Sequence, residues 1–246
     1  MYCIVLFKYI YNSVQIHRQL GGIEGSGKSS AGNIILGRNA FDVGRRTARS
    51  VEAAGDVHGR HLTVVDTPGW WFDSPLEKTS ELDKLEIENS IHLCPPGPHV
   101  ILLTVPIETT FNKSSQAAVE EHMSLLGKKV WNHTLVLFTR GDWLGDTAIE
   151  ERIENEGKQL QWLIKKCGNR YHVFNCKQNT DSTQVLELLA KIEEMMMENN
   201  GEYFTLENRT LEEEWKKHED ELIERMLEAA TADLNEETEQ FSSMHT

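Results

Sequence analysis

The chain alternates short apolar runs with amphipathic stretches, which predicts strands and helices in turn. Residues 100–105 (VILLTV) and 134–138 (TLVLF) are continuous apolar runs with the length and composition of strands buried on both faces. Shorter strands are predicted at residues 61–65 and 171–174. Apolar residues at helical spacing predict helices over residues 29–36, 76–93, 114–126, 149–164 and 183–197. This order predicts an α/β fold in which helices cover both faces of a mostly parallel sheet.

The last part of the chain has a different pattern. From Gly201 onward, apolar residues share one face of a predicted amphipathic helix, namely Leu222, Ile223, Met226, Leu227 and Ala230. This helix either docks on the preceding domain or pairs with a partner, and residues 231–246 are expected to be disordered. Three segments are therefore predicted: an N-terminal segment at 1–20, a main domain at 21–200, and an acidic helix with its tail at 201–246.

The acidic balance of the chain excludes some classes of partner. The net charge is −14; residues 201–246 contain 14 Asp and Glu against 4 Lys and Arg, a net of −10, which leaves −4 for residues 1–200. Neither part has the basic character of a nucleic-acid-binding protein or of a polybasic membrane anchor. Residues 1–11 are interrupted by Lys8 and are fewer than the roughly 20 that a spanning helix needs, so no transmembrane segment is predicted.

The cysteines indicate the expected compartment. Cys3, Cys94, Cys167 and Cys176 have no closely paired spacing, so the sequence predicts neither a zinc site nor a disulfide framework. A reducing, cytoplasmic setting is expected.

Residues 22–29 (GIEGSGKS) have the pattern G-x-x-x-x-G-K-[ST] of a phosphate-binding loop. In such a loop, successive backbone N–H groups surround the phosphates, the lysine reaches the β and γ phosphates, and the hydroxyl that follows binds Mg²⁺. The alternative, a glycine-rich surface turn beside a lysine, does not account for the predicted helix that begins directly after the loop. The predicted phosphate-binding residues are Gly22, Glu24, Gly25, Ser26, Gly27, Lys28, Ser29 and Ser30.

The segment before this loop lacks the pattern that the loop requires. A phosphate-binding loop follows a buried parallel strand, whereas residues 14–20 (VQIHRQL) place three polar residues where aliphatic ones are expected. The apolar run at residues 1–10 (MYCIVLFKYI) lies too far upstream to lead directly into the loop. For residues 1–20, an added strand, a disordered leader and a different natural start of the chain are open alternatives.

Residues 66–69 (DTPG) follow the predicted strand 61–65 and supply a second candidate motif. Asp66 is placed where a carboxylate holds Mg²⁺ through a coordinated water, and Gly69 is placed where a backbone N–H approaches the γ-phosphate. An ordinary type I turn explains the same four residues, and the two interpretations are compatible.

Residues 139–142 (TRGD) follow the strand 134–138 and are the candidate base-recognition motif. A carboxylate accepts two parallel hydrogen bonds, which matches N1–H and the 2-amino group of guanine, whereas adenine has no such pair of donors. Asp142 is therefore the predicted specificity residue, with Arg140 laid across the base and Thr139 beside it. Asn175, after the strand 171–174, is the candidate on the other side of the base. The alternative is an exposed Arg-Gly-Asp turn.

Together these motifs resemble the AIG1-type GTPases, the GTPases of immunity-associated proteins. The resemblance covers roughly residues 21–200 and rests on GIEGSGKSSAGNIILG (22–37), GRHLTVVDTPG (59–69), PPGPH (95–99) and LFTRGDWLG (137–145). The PPGPH box is the most specific of these because ordinary Ras-like GTPases lack it. The resemblance implies a P-loop NTPase with a Ras-like three-layer fold and a C-terminal helical extension. It also implies GTP and GDP binding with Mg²⁺, and nucleotide-dependent dimerisation with a second copy or a related G domain.

The resemblance also assigns residues that the local patterns do not. Thr47 matches the switch threonine whose hydroxyl joins Ser29 on Mg²⁺, so the predicted metal set is Ser29, Thr47 and Asp66. Arg45, Arg46 and Arg49 depart from the family's usual run around that threonine. The family's loop arginine, in Gly-Arg followed by an aromatic residue and Thr, is replaced here by residues 109–112 (TTFN).

Trp70 stands where Ras-like enzymes place the glutamine that orients the attacking water, and an indole cannot accept a proton from that water. The sequence therefore predicts tight nucleotide binding with slow hydrolysis, and no catalytic residue is assigned. Residues 70–72 (WWF) either pack against the following helix or form a contact that the switch exposes.

Three functions are compatible with these motifs. The first is a GTP/GDP switch or GTP-dependent assembly module, and the second is a constitutively nucleotide-bound scaffold that acts through its C-terminal helix. The third is an ATP-using kinase or ATPase, which Asp142 disfavours.

Overall fold

The computed structural model describes residues 2–10, 27–71, 73–175 and 182–206. The chain divides into two compact units, Met1–Thr205 and Leu206–Thr246. The predicted C-terminal helix lies outside the described residues, as do Gly22, Glu24, Gly25 and Ser26 of the phosphate-binding loop. Within the described ranges, no helix is long and apolar enough to cross a membrane.

The described part of the first unit contains a six-stranded sheet in the order β2-β3-β1-β4-β5-β6. The strands are β1 (Tyr2–Ile10), β2 (Val51–Val57), β3 (Arg60–Trp71), β4 (Val100–Pro106), β5 (Thr134–Thr139) and β6 (Tyr171–Val173). Neighbouring strands are parallel except β2 and β3. The carboxyl ends of the five parallel strands therefore meet at one edge of the sheet, which is where ligands bind in such folds.

Strand β1 is the main difference from the sequence expectation. The run at residues 1–10 was expected to lie too far upstream to serve the phosphate-binding loop, but β1 pairs in parallel with both β3 and β4. Of the alternatives for the N-terminal segment, the structure therefore contains the added strand, at the centre of the sheet. The number of residues between β1 and the phosphate-binding loop is a poor guide here, because parallel strands are joined by connections of widely varying length.

The edge strand β2 was missed by the sequence analysis. It forms a hairpin with β3 through His58 and Gly59, which both have positive φ angles, of 48° and 77°. Positive φ at both central residues is typical of the tight turns whose twist suits a β-hairpin. Most β2 residues are exposed or half-buried, so β2 lacks the apolar run by which β4 and β5 were recognised.

The helices are α1 (Lys28–Leu36), α2 (Glu81–Asn89), α3 (Lys113–Ser124), α4 (Ile149–Glu156), α5 (Lys158–Lys166) and α6 (Thr183–Glu198). One core cluster joins buried residues of α1 and α6 to alternate residues of the strands, among them Val100 and Leu102 of β4. The intervening residues Ile101 and Leu103 are also fully buried. Since successive strand side chains point to opposite faces, β4 is covered on both sides, and the predicted three-layer α/β fold is confirmed.

Two predicted helices are interrupted in the structure. The helix expected at 76–93 begins only at Glu81, where the Ser80 side chain caps it by accepting a hydrogen bond from the Asp83 N–H, and a 3₁₀ turn follows at Ser90–Leu93. The helix expected at 149–164 breaks at Gly157, which has a φ of 112°. Apolar periodicity continues across both breaks, so it did not reveal them.

The PPGPH box holds the segment that leaves the first unit. The Phe204 N–H donates to the Pro98 carbonyl at 2.8 Å, and the Phe204 side chain is 1% exposed. A Cβ on Gly97 would fall well inside 3.0 Å of the Phe204 carbonyl oxygen. Tyr203 packs edge-on against His99 with ring centroids 4.5 Å apart. Residues 95–99 therefore form a seat, meaning a site where the backbone of Phe204 packs directly on the backbone of the box, and this close packing requires glycine at position 97.

The cysteines differ from the expectation that no disulfide is present. Cys94 is disulfide-bonded, whereas Cys167 is a free thiol. Burial raises the pKa of Cys167 to about 12, which keeps this thiol protonated and unreactive. A pattern of spacings could not predict the bond at Cys94, because a disulfide depends on which residues the fold brings together.

Candidate functional site

Three predicted side chains from two segments meet at the carboxylate of Asp66. The ammonium of Lys28 contacts Asp66 Oδ1, and the Ser29 and Thr47 hydroxyls each donate to Asp66 Oδ2 at 2.9 Å. Lys28 also donates to Thr47 Oγ1 at 3.3 Å. Lys28 and Asp66 are only 2% and 3% exposed, so each charge depends on the other for compensation inside the protein.

The three oxygen-bearing residues Ser29, Thr47 and Asp66 match the chemistry of a magnesium site. Mg²⁺ prefers oxygen ligands, takes one or two carboxylates and retains several waters. Two hydroxyls converging on one carboxylate satisfy that preference. Among the described residues, no cluster of three or more His, Cys, Asp and Glu side chains could hold a metal ion, so the structure has no competing site of that type.

Helix α1 supplies a positive helix end at the same place. Gly27 caps it in the left-handed conformation, with a φ of 80°, and the Ala31 N–H donates to the Gly27 carbonyl. Gly27 offers no side chain to its helix, so the first backbone N–H groups, including that of Ser30, are free of a side-chain cap there. N–H groups at a helix N-terminus and the helix dipole favour an anion such as a phosphate.

The loop that carries Thr47 is organised by a residue that the sequence analysis did not single out. Asn33 of α1 accepts hydrogen bonds at 2.8 Å from the N–H groups of Ala40 and Phe41, and donates to the Phe41 carbonyl at 2.9 Å. Phe41 is 6% exposed in the core. The start of the loop is thereby fixed to α1. An asparagine five residues after the lysine of a phosphate-binding loop was the available signal.

The base-recognition motif packs directly on the phosphate-binding loop. Thr139, at the end of β5, is fully buried, and its side chain would lie 3.2 Å from a Cβ on Gly27. Arg140 has a φ of 59°, and the Gly141 N–H donates to the Phe174 carbonyl at 2.8 Å. Glycine is required at 141 because a Cβ there would lie 2.5 Å from Val173 Cγ1.

Asp142 lies in the 3₁₀ turn Gly141–Leu144 and is half-buried. Asn175 follows β6, and its backbone is held by the Gln184 side chain, which accepts from the Asn175 N–H at 2.9 Å. Because Gly141 bonds to the residue before Asn175, the two candidate base-recognition segments lie next to each other. The turn expected at residues 66–69 is not observed, because β3 continues through these residues to Trp71 and Gly69 pairs with Lys8 of β1.

Arg140 has a partner that the sequence did not predict. Its guanidinium forms an ion pair with Glu108, which lies in the loop after β4. Helix α4 holds this loop, because Arg152 donates to the Ile107 carbonyl at 3.2 Å and Glu156 accepts from the Phe111 N–H at 2.7 Å. The base motif is therefore connected through Glu108 to the loop where the family's arginine is replaced.

Trp70 points into the protein core. It is 1% exposed and stacks on His122 of α3, with ring centroids 4.6 Å apart and an interplanar angle of 9°. His122 donates from Nδ1 to the Ala118 carbonyl and accepts at Nε2 from the Thr79 hydroxyl, both at 2.7 Å. Burial lowers the pKa of His122, so its ring is neutral at pH 7. Trp70 therefore packs against a helix, but its stacking partner is on α3, whereas the expected partner was the helix that follows in sequence. Trp71 is 55% exposed.

Comparison with known proteins identifies relatives of the chain. The model of the AIG1 family matches residues 20–224. GTPase IMAP family member 8 from Homo sapiens is 32% identical over 190 residues, which are 75% of this chain and 27% of the human protein. Immune-associated nucleotide-binding protein 5 from Arabidopsis thaliana is 31% identical over 216 residues, which are 85% of this chain and 69% of the plant protein. The chain thus spans about a quarter of the human relative.

Among solved structures, Toc33 from Arabidopsis thaliana in complex with Mg²⁺ and GMPPNP is similar, with a TM-score of 0.56 and 16% identity. The match covers 80% of this chain and 84% of that chain. At that identity the similarity supports the fold, with no conclusion about ligands.

Proposed function

Because the chain belongs to the AIG1 family, we propose that it is a guanine-nucleotide-binding protein that works as a GTP/GDP switch or GTP-dependent assembly module. The observation that carries this proposal is the convergence of Lys28, Ser29 and Thr47 on Asp66 at the carboxyl edge of the sheet. A lysine, two hydroxyls and a carboxylate at a helix N-terminus are the groups that a magnesium-bound triphosphate requires. The names of the human and plant relatives agree with this function.

Each group has a defined role in this proposal. Lys28 and the N–H groups at the start of α1 bind the β and γ phosphates. Ser29, Thr47 and Asp66 hold Mg²⁺, which when bound neutralises phosphate charge. Asp142 accepts the guanine N1–H and 2-amino hydrogens, Arg140 covers the base, and Asn175 contacts it from the other side.

We further propose that hydrolysis by the isolated protein is slow. Trp70 occupies the position of the water-orienting glutamine, and its ring is stacked on His122. Thr110, in the place of the family's loop arginine, is exposed and carries no charge that could stabilise the transition state. A positioned arginine accelerates this reaction by roughly 10³- to 10⁵-fold, so its replacement predicts a low rate.

Calorimetry with GDP, a GTP analogue, ATP and a xanthosine nucleotide tests the base assignment. Asp142→Asn should weaken guanine-nucleotide binding by about 100-fold or more, because a charge-assisted pair of hydrogen bonds is lost. It should strengthen xanthosine binding, because an amide offers one donor and one acceptor to the xanthine O2 and N1–H. Asp146→Asn, an exposed acid in the same loop, is the matched control and should change neither affinity.

Equal affinity of the wild-type protein for ATP and GTP would refute the assignment of Asp142. Absence of any guanine-nucleotide binding by the folded protein with Mg²⁺ would refute the proposed function as a whole.

Exposed apolar side chains beside the site support the assembly function. Trp143, directly after Asp142, is 66% exposed, and Trp71, at the end of β3, is 55% exposed. We infer that they contribute to a nucleotide-dependent dimer with a second copy or a related G domain. Size-exclusion chromatography with light scattering should show a larger mass with a GTP analogue than with GDP. Trp143→Ala should reduce this change, whereas Met197→Ala, which removes a 73% exposed residue from α6, should not.

An unchanged mass in both nucleotide states would favour the alternative, a constitutively nucleotide-bound scaffold that acts through its C-terminal helix.

A further inference from the structure

The segment that carries Thr47 is tied to helix α2 on both sides of that threonine. On one side, the Arg46 guanidinium forms an ion pair with the Asp83 carboxylate. On the other side, the Ser50 N–H donates to Glu86 Oε2 at 2.7 Å, and the Ser50 hydroxyl donates to the Glu86 carbonyl at 3.0 Å. The threonine between these two anchors reaches across to Asp66.

The helical spacing explains how one helix provides both anchors. Asp83 and Glu86 are three residues apart, so they lie on the same face of α2, one turn from each other. Arg46 and Ser50 flank Thr47 in a segment without helix or strand. A displacement of α2 therefore pulls on the loop at two points, with Thr47 between them.

In the Arg46–Asp83 pair, the aspartate is held firmly by its surroundings. The Asp83 side chain is 10% exposed and also accepts from the Ser80 hydroxyl at 2.7 Å. Arg46 is 61% exposed, so it reaches from the surface to a carboxylate that is almost buried. The neighbouring Arg45 differs: it is 86% exposed and lies 3.8 Å from the exposed Asp42. Of these two arginines, Arg46 therefore has the structural partner.

We propose that Arg46 and Asp83 form a latch that couples the Thr47 loop to helix α2, so that the hydroxyl of Thr47 is positioned for the metal only while α2 holds its place. Arg46 is a positioning residue in this inference, since it acts through Thr47 and does not touch the nucleotide. The inference rests on the proposed function and deepens it. It gives a role to an arginine that departs from the family's usual pattern.

The coupling predicts an effect that depends on the nucleotide state. In GTPases, the γ-phosphate and Mg²⁺ order the switch loops, and hydrolysis releases them. Loss of the latch should therefore weaken binding of a GTP analogue and leave GDP binding almost unchanged. Because Arg46 is largely exposed, the expected loss is moderate, about fivefold in the ratio of the two affinities.

The test measures affinities for GDP and for a non-hydrolysable GTP analogue, with Mg²⁺, for five proteins. These are the wild type, Arg46→Ala, Asp83→Asn, the double variant of both, and the control Arg45→Ala. Asp83→Asn keeps an oxygen for the Ser80 hydroxyl, so it removes the charge while sparing the cap of α2. Urea unfolding of each variant separates a general loss of stability from a change in nucleotide preference, since instability alone does not alter the ratio.

We expect the affinity for the GTP analogue, divided by the affinity for GDP, to fall by about fivefold in Arg46→Ala and in Asp83→Asn. The double variant should show no larger decrease, because both substitutions remove the same interaction. Arg45→Ala should keep the wild-type ratio. Equal affinities in Arg46→Ala and the wild type would overturn the latch, as would equal losses for both nucleotides or additive losses in the double variant. A wild-type protein that binds neither nucleotide would instead refute the proposed function.

Discussion

Replacing Gly97 with alanine tests the role of the PPGPH box. The new Cβ would collide with the Phe204 carbonyl oxygen and would lie 3.1 Å from the Phe204 carbonyl carbon and 3.3 Å from Tyr203 Cβ. These obstacles are mainly backbone, which cannot turn aside as a flexible side chain can. Either the segment around Phe204 must therefore move away from residues 95–99, or the backbone of residues 95–99 must shift.

The cost can be worked from what the seat contains. Phe204 is 1% exposed, and releasing a buried phenylalanine costs about 1.5 to 3 kcal/mol. The hydrogen bond from the Phe204 N–H to the Pro98 carbonyl adds about 0.5 to 1.5 kcal/mol. The expected loss is about 2 to 4 kcal/mol in the free energy of unfolding. For a unit of this size, that corresponds to a Tm lower by roughly 5 to 15 °C.

Urea and thermal unfolding measure this loss, and Gly55→Ala is the matched control. A Cβ on Gly55 would make an ordinary contact, 3.5 Å from Leu36 Cδ2, so the same substitution in β2 should cost less than about 0.5 kcal/mol. In the Phe204→Ala background, Gly97→Ala should cost less than it does in the wild type, because the burial of the phenylalanine ring is already lost and only the backbone contacts of residue 204 remain to be broken. A Gly97→Ala protein as stable as the wild type, or fully additive losses in the double variant, would refute the reasoning.

Two further predictions concern pH and catalysis. Burial, followed by the charge of Lys191, lowers the pKa of His172 to about 4. The unfolded chain takes up this proton near pH 6.5 and the folded protein does not, so stability should fall by up to roughly 3 kcal/mol as the pH drops from 6.5 to 4. His172→Gln should flatten that slope in urea unfolding, and an unchanged slope would contradict this assignment. Thr110→Arg should raise GTP hydrolysis, measured as phosphate release, by about tenfold or more, and Thr110→Lys by less because lysine lacks the planar guanidinium. Equal rates in the wild type and Thr110→Arg would show that the missing arginine does not limit turnover.

The chemistry-bearing motifs could be predicted from the sequence because each one is local. The loop at 22–29 and its helix are contiguous, and α1 begins at Lys28, one residue before the predicted start at residue 29. Asp66 and Asp142 were recognised because each follows an apolar run and has a glycine or proline close by in sequence, although β3 continues past Asp66 to Trp71. Their position at the same edge of the sheet was expected from the parallel order of the strands, and that parallel order is confirmed.

The elements that were missed or left open depend on contacts between distant parts of the chain. A strand at residues 1–10 stayed one of three alternatives because this run is far from the loop in sequence, and the position of β1 is decided by its pairing with β3 and β4. Strand β2 has no buried face of its own by which periodicity could find it. The breaks at Ser80 and Gly157 required cap geometry, which apolar spacing does not report.

The sequence by itself therefore determined the family, the fold class and the types of chemical group at the site. Only the tertiary structure decided which partners hold those groups in place, namely Asp83 for Arg46, Glu108 for Arg140 and Phe204 for Gly97. The physical reason is the separation in sequence between the interacting residues. Phosphate and base recognition use residues that adjoin one strand end, whereas each of these partners is brought close only when separate elements pack together.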